Sequence, residues 1–114
     1  MLFGCSPDEI IRVGTPFHNN GTDGVKFHDE ITDTETITSL RTLIKNAKDI
    51  EEPNDLTKEP EVFFSLDKPK EGISEIRRYI WYQDDGSAVL YNEATGYSIL
   101  TKKQTIELKN ILKH

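Results

Sequence analysis

The chain has 114 residues, 35% of them apolar and 30% charged, with a formal net charge of -6. That length fits one domain with a modest core, burying about 65% of the unfolded surface, and the 9% aromatic content excludes a disordered tail. Acidic residues spread along the chain would repel a nucleic-acid backbone, which removes nucleic acid from the expected partners, and no apolar run approaches the roughly 20 residues that span a bilayer.

The first feature in chain order is Leu2-Phe3-Gly4-Cys5. A leucine three positions before the only cysteine and a small residue immediately before it match the end of a lipobox, where a bacterial signal peptide is cut and the new N-terminal cysteine is acylated. Ser6-Pro7-Asp8 then reads as a polar tether, so residues 1–8 form a lipobox remnant and tether and residues 9–114 a single domain. One cysteine cannot form an intrachain disulfide, and lipidation accounts for a lone cysteine in an exported protein. The charged and apolar regions of a signal peptide do not stand before Leu2. Either the precursor is longer, or the match is accidental and Cys5 is a free terminal thiol. Two acyl chains would suffice to anchor the domain, since each buried CH₂ contributes about 0.8 kcal/mol and a single chain is marginal.

Glu9 to Thr15 reads as a first strand, and the polar loop His18 to Gly24, with its Asn-Gly and Asp-Gly signals, as a hairpin connection. Val25 to Thr32 alternates with period two and makes the second strand. Thr32-Asp33-Thr34-Glu35 supplies an N-cap and capping box. Ile37, Leu40, Leu43, Ile44 and Ala47 follow at helical spacing. Asp49 to Pro60, acidic and carrying two prolines, is expected to be an exposed crossing loop. Four further strands are predicted at Glu61 to Leu66, Ile73 to Gln83, Ser87 to Tyr91 and Tyr97 to Leu100, joined by short turns into a meander. Thr101-Lys102-Lys103-Gln104 has the capping-box form and opens a closing helix with Ile106, Leu108, Ile111 and Leu112 on its stripe. The expected fold is α+β: a single antiparallel sheet of about six strands in the order ββαββββα, two helices on one face and the other face open.

With its strand Ile10 to Val13, its passage Ile31 to Ala47, its aromatic segment Tyr79-Ile80-Trp81-Tyr82 and its close Gly96 to Thr101, the chain resembles the YhfM-like domain of small Bacillus lipoproteins. The resemblance is weakest over Asp49 to Pro60 and Asp67 to Gly72. It implies an anchored extracytoplasmic location and a fold, and brings no activity with it.

No catalytic constellation is legible. There is no Gly-x-Ser-x-Gly elbow, no His-Glu-x-x-His helix and no glycine-rich phosphate loop. Asn19 to Glu30 has glycine sixth and glutamate twelfth, as in an EF-hand, but the third position is Gly21 and strands flank it, so no calcium site is expected. His18, His28 and His114 lack metal-ligand spacing and read as solvated. No cofactor or metal is expected, and a hydrolase with unrecognised carboxylates ranks below a binding role. The remaining candidates are aromatic. If Val62, Phe64 and Leu66 face the helices, Phe63 points the other way, and Tyr79, Trp81 and Tyr91 can join it there as a ligand or partner surface. The alternative places Trp81 in the core. The sequence therefore predicts a lipid-anchored, non-catalytic binding module on the outer face of a bacterial cytoplasmic membrane. Its runner-up is a soluble ligand- or peptide-binding accessory protein that uses the open sheet face.

Overall fold

The computed structural model describes residues 8–56 and 58–113. Cys5, on which the lipid reading rests, and His114 lie outside the described residues. The elements run β1 (Ile10–Asn19), β2 (Thr22–Ile31), α1 (Thr34–Lys45), β3 (Lys48–Ile50), β4 (Val62–Lys68), β5 (Ile73–Tyr82), β6 (Ala88–Asn92), β7 (Gly96–Leu100) and α2 (Lys102–Leu112). The fold is α+β, one antiparallel sheet with two helices. The sheet has seven strands in the order β2-β1-β4-β5-β6-β7-β3. The expectation of about six strands is corrected by β3: Lys48, Asp49 and Ile50 pair with Ile99, Ser98 and Tyr97 at the edge of the sheet. Those three residues carry no alternating pattern long enough to be read as a strand, and their pairing is supplied by a segment nearly fifty residues later.

Local chemistry sets most boundaries. The β1–β2 hairpin turns on two residues, Asn20 and Gly21, both with positive φ (51° and 80°), the conformation of a type I′ turn. The strands therefore run on through residues expected to be loop. Asp33 caps α1, its carboxylate accepting from the Thr36 amide at 3.0 Å and the Thr36 hydroxyl at 2.7 Å. These bonds hold Asp33 below its ordinary carboxylate value. The third helical residue is thus Thr36, so the expected capping box does not form at this helix. It does form at α2, where Thr101 accepts from the Gln104 amide and the Gln104 side chain accepts from the Thr101 amide.

Both helices lie on one face. Ile37, Leu40 and Leu43 of α1 and Leu108, Ile111 and Leu112 of α2 are buried against sheet residues including Ile11, Val13, Phe64, Leu66, Ile80 and Leu90. Burying each such side chain contributes roughly 1.5–3 kcal/mol. Ile44 is only half-buried at the margin of this core. Arg41 projects from α1 to pair with Glu75 at 2.8 Å and with Glu9, which pins the helix to β5 and to the entry of β1. Among the described residues no helix is long and apolar enough to cross a membrane.

Candidate functional site

The face away from the helices carries an aromatic row that crosses the whole sheet. Directly paired residues share a face, and successive pairings join Phe27, Gly14, Phe63, Tyr79, Tyr91, Tyr97 and Ile50 from edge to edge. A parallel row above it contains Trp81, Val89 and Ile99. Gly14 stands between Phe27 and Phe63 in the ladder, and those two rings pack edge to face at 6.1 Å. A Cβ on Gly14 would come within 2.6 Å of the Val25 side chain and 2.7 Å of the Lys26 carbonyl oxygen. Further along, Phe63 contacts Tyr79 at 4.9 Å and Tyr91 contacts Tyr97 at 4.6 Å.

This face is partly covered, contrary to the expectation of an open one. Because β3 sits at the far edge and β4 beside β1, the connection described at residues 51–56 and 58–61 crosses the sheet. It does so over the aromatic side: the Trp81 Nε1–H donates to the Lys58 carbonyl at 2.9 Å, and Glu51, Pro53 and Asp55 border a hollow with Val89 and Ile99. Glu52 reaches the Tyr97 hydroxyl. Tyr97 is raised above the usual phenol value, first by loss of hydration and then by that carboxylate.

All four aromatic residues singled out from the sequence stand on this face, and they divide into two pairs. Phe63 is 1% exposed, sealed by Phe27 and by the Arg77 guanidinium 5.5 Å above its ring. Trp81 is 8% exposed, sealed by the crossing segment. Tyr79 and Tyr91 remain half-exposed. Together with the edge of Trp81 they line a cleft of about 500 Å³ between the β1–β2 hairpin tip and the end of the crossing segment. Pro16 and Phe17 wall the hairpin side and Pro60 the other. Phe17 is 47% exposed and lies across Gly24, its partner in the ladder.

The rim is acidic. His18 and Asp23, paired across the hairpin, share a short hydrogen bond at the mouth, and Glu59 stands opposite. The hydrogen bond and charge of Asp23, with a smaller contribution from Glu59, raise the His18 imidazole above its ordinary value. No lysine or arginine lines the cleft among the described residues. Lys58, beside Glu59 in sequence, is engaged by Glu61 at 3.0 Å, and Arg77, which borders the adjoining hollow, lies over the Phe63 ring. Phe17, Asp23 and Glu59 were not singled out from the sequence, although a register counted outward from Asn20-Gly21 sets Phe17 opposite Gly24 and His18 opposite Asp23.

No group of three or more histidine, cysteine, aspartate or glutamate side chains converges as a metal site among the described residues. Glu30, last in the EF-hand-like spacing, instead pairs with Arg12 at 2.6 Å. Comparison with protein-family models, curated proteins and solved structures finds no match.

Proposed function

We propose that this domain is a non-catalytic binding module, held by a lipidated Cys5 on the outer face of a bacterial cytoplasmic membrane, that engages its partner through the aromatic cleft. The cleft carries the reading: half-exposed Tyr79 and Tyr91 form the floor of a concave site flanked by an exposed phenylalanine, and concave aromatic sites with a few placed polar groups are where ligands bind. The anchor is supported by Leu2-Phe3-Gly4-Cys5, by the polar tether after it, and by the resemblance to the YhfM-like domain of small Bacillus lipoproteins. On this reading a signal peptide is removed and palmitate-class acyl chains are added at Cys5, while the folded surface need not touch lipid.

Two measurements test the two halves. Intact mass of the protein from its native membrane should match a chain beginning at Cys5 plus a diacylglyceryl group, and Cys5→Ser in the precursor should leave the membrane fraction still folded. An unmodified chain beginning at Met1 would remove the anchor. For the cleft, a photocrosslinking residue at position 17 should trap a partner in cells that the same group at position 42, on the exposed side of α1, does not. Equal trapping at both positions would refute the cleft as the binding surface.

A further inference from the structure

We infer that the cleft takes a basic side chain, lysine or arginine, carried on an extended segment of a partner protein. This rests on the binding-module reading and specifies the chemistry of what is bound. Asp23 and Glu59 place two carboxylates at the mouth; His18 partly offsets Asp23 when protonated, and no lysine or arginine among the described residues lines the cleft to offset Glu59. Lys58, next to Glu59 in sequence, is committed to Glu61 and approaches the Tyr82 carbonyl at 3.5 Å. The rest of the lining is largely aromatic: Tyr79, Tyr91 and the edge of Trp81 on the floor and Phe17 on the hairpin wall. Aromatic faces attract cations through the ring quadrupole and pack the apolar stem of a long basic side chain. Carboxylates at the mouth and aromatic rings in the lining are complementary to a positive charge at the end of an alkyl chain, and unfavourable to an anion.

The shape favours a peptide over a free cation. The cleft of about 500 Å³ is too small for a folded surface and larger than one ammonium group requires. A second hollow of about 240 Å³ shares Tyr79 and Tyr91 with it and continues past Phe63 and Arg77 to Glu93. The two together form a track along the face on which neighbouring residues of an extended chain can lie.

Trp81 is the only tryptophan, so its emission reports the cleft directly. The full chain is titrated with the blocked pentapeptide Ala-Ala-Lys-Ala-Ala, with its arginine, norleucine and glutamate counterparts, and with tetramethylammonium, following Trp81 emission and the Trp81 Nε1–H resonance. The lysine and arginine peptides should saturate and bind at least about tenfold more tightly than the norleucine and glutamate peptides. Asp23→Asn combined with Glu59→Gln, both exposed positions, should abolish that preference while the domain stays folded, with at most the small loss of stability expected from the exposed His18–Asp23 pair. Equal binding of the lysine and norleucine peptides would refute cation recognition and leave the binding module intact. Tetramethylammonium binding as tightly as the peptides would refute the peptide as the source of the cation. No response of Trp81 to any probe would overturn the inference outright, and the crosslinking at position 17 would then decide the binding module independently.

Discussion

The indole Nε1–H of Trp81 donates to the backbone carbonyl of Lys58 at 2.9 Å, and this bond joins the crossing segment to the middle of the sheet. It explains how the largest side chain of the molecule is buried on the face that the helices do not cover. Both readings of Trp81 from sequence, surface and core, thereby turn out to be partial: the residue lies on the aromatic face and is out of water.

Trp81→Phe keeps most of the apolar area and removes the donor. We expect a loss of about 1 kcal/mol of stability, together with faster trypsin cleavage after Lys58 than in the wild type. Urea denaturation and limited proteolysis measure the two effects, and an unchanged cleavage rate would show that the segment is held by other contacts.

Leu43 is 4% exposed beneath α1 whereas Ile44 is half-buried beside it. Leu43→Ala should cost about 2–5 kcal/mol through lost transfer energy and an unfilled cavity. Ile44→Ala should cost under about 2 kcal/mol, because less of its area leaves water. Equal denaturant midpoints for the two variants would contradict the orientation of the helix.

Gly14→Ala should destabilise by about 1–3 kcal/mol, the range for overpacking a filled site. The added methyl meets the Lys26 backbone carbonyl as well as the flexible Val25 side chain, so a rotamer change alone cannot relieve it. The relevant measurement is thermal or urea unfolding, with Gly72→Ala as comparator: that glycine has open space around it but a φ of 68°. Its cost arises from backbone strain alone.

The His18–Asp23 link makes the hairpin tip sensitive to pH. The imidazole is raised above its reference value of 6.5 in the folded state, so the link's stabilisation is fully present below pH 6.5 and is lost as pH rises through the raised folded value. Both groups are exposed, at 56% and 82%, so solvent screening keeps the effect small. Titration of the His18 ring protons by NMR should give a value above that of a free histidine, and Asp23→Asn should lower it toward the ordinary one. A His18 midpoint unmoved by that substitution would mean that the pairing does not persist in solution.

Much of this architecture is legible from residue pattern, for identifiable reasons. Alternation in Val62 to Leu66 assigns opposite faces to Phe63 and Phe64, and the Thr101-to-Gln104 capping box starts α2 where expected. The capping signal at Thr32 to Glu35 locates α1, while leaving unresolved which residue is the cap. Strand β3 escapes because three residues carry no period and their pairing energy comes from β7, far along the chain. The cleft escapes for a related reason. Its floor follows from strand alternation, but its walls come from a hairpin tip and a crossing segment whose meeting depends on tertiary topology. The acceptor for Trp81 is a backbone carbonyl, which side-chain identity does not encode.

The placement of β3 at the edge beside β7 constrains the order in which the molecule can be assembled. A chain emerging N-terminus first can close the β1–β2 hairpin at once, but Lys48–Ile50 has no neighbour until Gly96–Leu100 has joined the meander. Contacts of such long separation are slow to form because loop-closure entropy opposes them. We therefore expect the β3 edge, and with it the segment that shelters Trp81, to gain protection no earlier than β7 in pulsed hydrogen exchange. Protection of β3 before β7 would contradict this order. The aromatic face is then completed only after β7 is in place, so a molecule truncated before Gly96 would present an unfinished surface to its surroundings.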